Sequence, residues 1–484
     1  MTNAAASASS LEVSRETVIP LAAGFAPASR EDWISVVERT LKGASVNSLV
    51  RHTLEGLEIQ PLYGPGAQPP AAIAGRGGAD WDVRALVRRP RPAEANGDVL
   101  QDLQGGAGSV LLQLGAGGVA IASADDMARA LDGVLLDAAP VALDAGFLGP
   151  KSADWLAAAA KGAPSAELVL HMDPIGAFAR DGLSSGPMES HLIAAATVGV
   201  RLAEPYPRAS LFLASGRAAH EAGAGEAAEL ALAAAAAVAY AKALARAGLT
   251  IQAAFERIVI GLAVDADYFL GVAKLRAARL VWGKITAACG VAAPARIEAR
   301  SSGRMLTRAD PWTNMIRLTA AGFAAAVGGA DAIVLGAFTD AMGRPSAFAR
   351  RQARNAQLVL KEEANLGRVT DPAAGSGYLE ALTDELARAA WTRFQAIEAA
   401  GGAIRALEAG LVAQEAARGR ELLAQRIAAG ELKVLGVTDF PNAETGAVEL
   451  GEDDPASAEQ PPARLPGPDS RSPPLLPVRL EELA

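Results

Sequence analysis

The strongest constraint on the fold of this chain is a repeat. From residue 108 onward, short apolar runs alternate with longer helix-like segments. The apolar runs are 109–115, 140–145, 167–173, 209–215, 258–264, 295–300 and 332–338, and 367–371 is a candidate for an eighth. Between them, helical periodicity covers 124–131, 191–202, 226–247, 268–289 and 311–328. Strands separated by helices are joined by crossovers, so the strands are expected to run parallel. Eight such units close a (β/α)8 TIM barrel, an α/β fold whose active face is built from the loops after the strands. An open doubly wound sheet is the competing architecture. It is weakened because no Gly-rich dinucleotide fingerprint follows an early strand.

Composition narrows the partners. The chain has 484 residues, 51% of them hydrophobic, and a net charge of −9. Phosphate binding needs a concentrated basic face, so no nucleic-acid partner is expected. Cys289 is the single cysteine, which excludes an intrachain disulfide and a thiolate-rich metal site. That usage fits a reducing, cytoplasmic location. Residues 1–10 lack a basic segment followed by an apolar one, so no secretory signal is expected. The longest apolar run, 230–241, is mostly alanine and reads as a buried helix, with no membrane contact.

The segments outside the repeat divide as follows. Residues 1–106 read as an N-terminal arm containing one helix, 31–41, with Trp33, Val36, Val37 and Leu41 on one face. Within the arm, 64–106 holds many Gly, Pro and Arg residues without clear periodicity, and reads as a segment lying over another surface. The barrel is assigned to 107–378. A helical extension with a Gly401-Gly402 break covers 379–438. Residues 439–484 have the composition of a linker-like tail, but 475–483 regain apolar residues and could dock on a partner or on the chain's own body.

Chemistry is expected where a strand turns into a helix. The run 209–215 leads into Ser215-Gly216-Arg217-Ala218-Ala219-His220-Glu221. His220 there is a general acid/base candidate, with a capping or interface role at least as favoured. None of the four histidines pairs with another at close metal-ligand spacing, so no metal site is expected. His171 and Asp173 would share a strand face as an ordered structural pair. The glycine-rich stretches 115–118 and 371–378 could cradle an anion, but both read better as tight turns. Glu363 could bring a carboxylate to the barrel mouth, although charged triplets such as Lys361-Glu362-Glu363 usually form solvated faces. No Asp-x-His-x-x-Gly loop of the kind that supplies cobalamin's axial histidine occurs in the chain.

Several stretches, in order, carry a resemblance. They are 118–127 with 131–137, Glu221-Ala222-Gly223-Ala224, 272–279 with Trp282, 306–317, 350–363 and 371–378. Together they resemble the acyl-CoA mutases that use adenosylcobalamin, the methylmalonyl-CoA mutase family, over roughly residues 30–440. The resemblance implies a (β/α)8 substrate domain. It also implies that acyl-CoA threads the barrel axis past small side chains, and the Ala-rich strands are compatible with that.

The departures from the family pattern direct the functional reading. Catalytic members carry a Tyr-His-Met-Gln-Glu-Ala-Gly-Ala-like segment whose histidine hydrogen-bonds the migrating thioester carbonyl. Here that histidine position is Ala218, the tyrosine position is Arg217, and His220 stands at the glutamine. An alanine methyl neither donates a hydrogen bond nor carries a proton. Losing one such contact costs about two to three orders of magnitude in rate. The family's Arg-Thr-His-x-Gln strand reads Arg296-Ile297-Glu298-Ala299-Arg300, its histidine replaced by Glu298 and its glutamine by Arg300.

The resemblance therefore implies a small, non-catalytic subunit without a cobalamin-binding domain. It would form a heterodimer with a catalytic large subunit that binds adenosylcobalamin and converts methylmalonyl-CoA to succinyl-CoA. The N-terminal arm would wrap that partner. Two alternatives stand beside it. One is a substrate-barrel subunit of another acyl-CoA mutase, served by a separate cobalamin protein, with Arg217, His220, Arg300 and Glu363 as mouth contacts. The other is an assembly protein that stabilises a mutase.

Overall fold

The structure is a computed structural model that describes residues 24, 26, 28–64, 73, 75–76, 80–115, 117–441, 446–452 and 464–484. The expectations for residues 1–23, for most of 65–79, for Ala116 and for the middle of the tail lie outside these residues. Two compact units are present, Met1–Arg51 and His52–Ala484. In the first, the helix Arg30–Thr40 is started by Ser29, whose hydroxyl accepts from the Asp32 backbone N–H at 3.1 Å in a capping box. None of this helix's residues is buried.

The second unit is a closed barrel of eight parallel strands. They are β1 (Asp82–Val87), β2 (Ser109–Gln113), β3 (Val141–Asp144), β4 (Leu168–Met172), β5 (Ser210–Ser215), β6 (Ile258–Val264), β7 (Ile297–Ser301) and β8 (Ala332–Val334). Neighbours pair in chain order, and β8 closes on β1 through Ala332 opposite Asp82. The (β/α)8 architecture read from the repeat is thus the observed one, with one strand exchanged. Residues 367–371 are not a barrel strand, since Leu366–Arg368 is a 3-10 turn and Asp371 is tied to Arg276 in an ion pair at 3.1 Å. The missing strand is Asp82–Val87, inside the stretch read as part of the arm. The barrel therefore begins before residue 107, with Pro92–Gln104 as its first crossover helix. β1 escapes the apolar pattern because Arg84 points into the barrel and is buried there in an ion network.

The Ala-rich helix Glu226–Arg246 packs against β5, β6 and the helices Tyr268–Ala288 and Gly377–Ala399. Alanines on so many faces let four neighbours approach one helix closely, and 0% of Ala227, Ala231, Ala235, Ala236 and Ala237 is exposed. This is the one described helix long and apolar enough to cross a membrane, and 78% of its apolar window is buried within the fold. Its Tyr240 stacks on Phe212 of β5 with centroids 4.5 Å apart.

The end of the chain lies on the barrel's own body. Leu475 N–H donates to Ala179 C=O at 2.9 Å, Ser472 N–H to Gly182 C=O at 2.9 Å and Val478 N–H to Glu221 C=O at 2.8 Å. Leu475 is buried.

Candidate functional site at the barrel mouth

The carboxyl ends of the strands surround a cavity of about 320 Å³. Ser215 ends β5 there, and Arg217 and Ala218 follow at its wall. Gly216, between them, has no alternative: a Cβ at this position would sit 2.0 Å from the Glu229 carbonyl oxygen. The chain turns sharply because two backbones meet. Arg180, Arg300, His171, Asp144 and Asp173 line the other walls, and Leu475 and Pro477 of the C-terminal segment contribute from above.

Below the mouth the barrel axis is filled. Leu111, Ala142, Val169 and Val334 form a buried cluster with Leu86 packed on it. An ion network runs alongside. Arg84 donates to Glu298 at 2.6 Å, to Asp82 at 2.8 Å and to the Ser109 hydroxyl at 2.8 Å. Arg300 donates to Glu298 at 2.7 Å and to Asp144 at 2.6 Å. Burial alone would raise the Glu298 carboxyl, but Arg300, His171 and Arg84 hold it well below the usual carboxylate range. Alanines do face the interior, Ala142 within that cluster and Ala263 in register with the inward Arg300, but the larger side chains of Leu111, Val169, Val334, Arg84 and Arg300 are buried beside them. This is the packed interior of an ordinary barrel.

Arg217 and Ala218 border the cavity, as does Arg300. His220 does not. It is fully buried, with its Nε2 3.0 Å from the Ser302 hydroxyl and its Nδ1 3.4 Å from Glu229 and 3.5 Å from Glu226. Burial and Arg304 lower its pKa, but the two glutamates outweigh them and the net shift is upward. Lys274 completes this cluster, pairing with Glu226 and, at 2.7 Å, with Glu229. His220, Glu226 and Glu229 present ligand atoms at metal spacing, but the Lys274 ammonium already occupies their carboxylates. Glu363 is exposed at the end of the π-helical turn Val359–Glu363. Lys361 in that turn donates to the Trp81 C=O at 3.4 Å, just before β1 and so at the end of the barrel opposite the mouth.

One further expectation changes. His171 and Asp173 do not bond each other. Asp173 takes the Tyr240 hydroxyl and the Gly176 N–H, and burial pushes its carboxyl up to about 7. His171 has a left-handed backbone with φ of +44° where the ladder between β4 and β5 slips, a conformation that costs energy in a non-glycine residue. Both its ring nitrogens lack a hydrogen-bond partner, and burial pushes its pKa down to about 3. The 371–378 stretch is a structural junction: Asp371 holds Arg276, and Ser376 caps the helix Gly377–Ala399. The Gly115–Gly118 turn closes with a 2.9 Å backbone bond.

Residues 102–466 match the family described as methylmalonyl-CoA mutase. The chain belongs to the methylmalonyl-CoA mutase family. A protein of Streptomyces virginiae called methylmalonyl-CoA mutase small subunit is 39% identical over 93% of this chain and 76% of its own length. The small subunit of Propionibacterium freudenreichii subsp. shermanii is 33% identical over 88% and 70%. A probable small subunit of Mycobacterium tuberculosis is 38% identical over 77% of this chain, which spans only 61% of that relative. The family is one of cobalamin-dependent isomerases, and the small-subunit names of these relatives imply a large-subunit counterpart.

Among the described residues the mouth cavity of this chain offers cobalamin no exposed histidine. His171 is the one histidine among the described residues that lines the mouth cavity, and it is buried; His220 is buried away from the cavity, and His191 packs on Phe147 at 4.6 Å. Leu475 and Pro477 of the C-terminal segment line that cavity as well.

Proposed function

We propose that the chain is a small, non-catalytic subunit of a heterodimeric, adenosylcobalamin-dependent methylmalonyl-CoA mutase. The observation that carries this reading is the filled barrel axis. The positions where the resemblance implies histidine and glutamine hold Glu298 and Arg300, and their ion pairs bridge β1, β3 and β7 across the interior. Ala218 at the wall lacks the hydrogen-bonding group that the family's thioester contact needs.

Adenosylcobalamin, held by the large subunit, supplies the radical rearrangement of methylmalonyl-CoA to succinyl-CoA. This chain contributes a folded partner surface. The helix Arg30–Thr40, which buries none of its residues and carries Trp33, Val36 and Val37, supports an arm that wraps the partner. We assign the complex to the cytoplasm.

Equilibrium binding of methylmalonyl-CoA tests this reading. The isolated chain is expected to bind none at millimolar concentration, while the heterodimer binds one equivalent, on the large subunit. Stoichiometric binding to the isolated chain would overturn it and would favour a substrate barrel served by a separate cobalamin protein.

A further inference from the structure

The mouth cavity has its own chemistry, independent of the mutase reaction. Most cations around it are neutralised. Arg88 pairs with Asp340, Arg180 with Asp181, and Arg300 with Glu298 and Asp144. Arg217 makes no ion pair among the described residues, and its Nε is buried without a hydrogen-bond partner. Arg217 is half-buried, and the buried Nε–H left without an acceptor is costly. Two more groups on the same cavity are also incomplete. Arg300 is 5% exposed, yet its Nη2 has no partner, and His171 is 3% exposed with both ring nitrogens free.

These groups define a ligand. Arg217 provides a positive charge that no direct ion pair holds, although Glu221 and Asp144 on the same cavity attract it, and a planar fork suited to a carboxylate. The Arg300 guanidinium is already balanced by two carboxylates, so its free N–H calls for a neutral oxygen. His171 stays neutral at pH 7, because burial holds its pKa near 3, and so offers one donor and one acceptor. The cavity of about 320 Å³ has the volume of a small-molecule site. It is too short for a CoA ester, because the axis beneath is packed and Leu475 and Pro477 bound it above.

We infer that this chamber binds a small organic monoanion, with its carboxylate on Arg217 and a neutral carbonyl or hydroxyl oxygen toward Arg300 and His171. A short 2-oxo or 2-hydroxy acid has this chemistry. Arg217 and Arg300 are both departures from the family pattern, so the site is not a remnant of the family's own contacts. It is formed by this chain alone and stands whether or not the chain pairs with a large subunit.

The test is titration calorimetry and thermal unfolding of the full chain with pyruvate, lactate, acetate, succinate and inorganic phosphate as probes. Pyruvate and lactate are expected to bind one per chain and raise Tm, since a ligand that binds only the folded state stabilises it. Acetate, lacking the second oxygen, should bind at least tenfold more weakly, and succinate and phosphate carry one charge too many for the site. Arg217→Gln should abolish binding. Ala218→Phe, which fills the cavity without touching a charge, should abolish it too and serves if Arg217→Gln does not fold. No saturable binding of pyruvate or lactate by the wild-type chain would overturn the inference, and the cavity would then hold only water. Equal binding in the Ala218→Phe chain would overturn it as well.

Discussion

Replacing His171 by asparagine should change how stability responds to acid in a calculable way. His171 is buried in the barrel against Glu298, at 3.7 Å from its Nδ1, with Arg84, Arg300 and Asp144 nearby. Burial holds its folded pKa near 3 against an ordinary value of 6.5. A base with a depressed folded pKa binds more protons when unfolded. Its contribution is therefore present above pH 6.5 and is lost progressively as pH falls toward 3. At 1.36 kcal/mol per pKa unit the full loss is about 5 kcal/mol, of which about 2 kcal/mol falls between pH 7 and pH 5. Asp173 acts in the opposite sense. Its folded pKa is raised to about 7, so it binds protons more readily when folded, and its destabilising effect fades as pH drops from 7 toward the ordinary carboxylate value. The two groups offset each other in the wild-type chain, leaving a shallow profile from these residues.

Asparagine cannot titrate and tolerates the left-handed backbone at this position. Urea unfolding of both proteins at pH 7, 6 and 5 isolates the histidine as a difference. The variant should gain about 2 kcal/mol relative to wild type between pH 7 and 5. Any constant offset from packing or relieved strain leaves that slope untouched. Parallel profiles across this range would refute the reasoning.

Other perturbations have equally definite outcomes. Lys274→Met leaves the buried carboxylates of Glu226 and Glu229 without their ammonium, and should cost about 3–5 kcal/mol in urea unfolding. Part of that cost should be recovered as pH is lowered and the carboxylates protonate. Ala218→His should give no mutase turnover by the isolated chain in a coupled assay, because the filled axis and the covered mouth remain. Gly216→Ala should lower Tm by several degrees, since its methyl would meet the Glu229 carbonyl, and the loss is read directly by thermal unfolding.

The legible part of the fold came from apolar strands with helical spacers. Strands β2 to β8 bury apolar side chains toward the surrounding helices, so runs such as Val110 to Leu112 or Ile258 to Val264 are visible in the sequence. β1 was hidden because Asp82 and Arg84 take part in the charge network, and a strand whose inner face is ionic loses the apolar run. The turn 367–371 looked like a strand through Val369, but that residue is 58% exposed.

The site was legible in position and less so in detail. The turn after β5 does reach the mouth through Arg217 and Ala218. His220, three residues beyond Arg217, is carried by the helical turn away from the cavity and into the Glu226–Glu229–Lys274 cluster. That cluster joins residues from separate elements, including Ser302 and Arg304, and local spacing cannot register such a meeting. His171 and its unpaired nitrogens depend on a slip in the ladder, which leaves no mark in the sequence. The seating of Leu475 and Pro477 over the mouth follows from backbone bonds to Ala179, Gly182 and Glu221, and the apolar residues at 475–483 left that destination open.

The central claim is that this barrel supports a reaction it does not perform. The direct measurement is methylmalonyl-CoA to succinyl-CoA turnover with added adenosylcobalamin, by the purified chain, by a catalytic large subunit, and by both copurified. The account predicts a one-to-one complex that turns over, and no detectable turnover by this chain alone. Turnover by the isolated chain at a rate near that of the complex would contradict it.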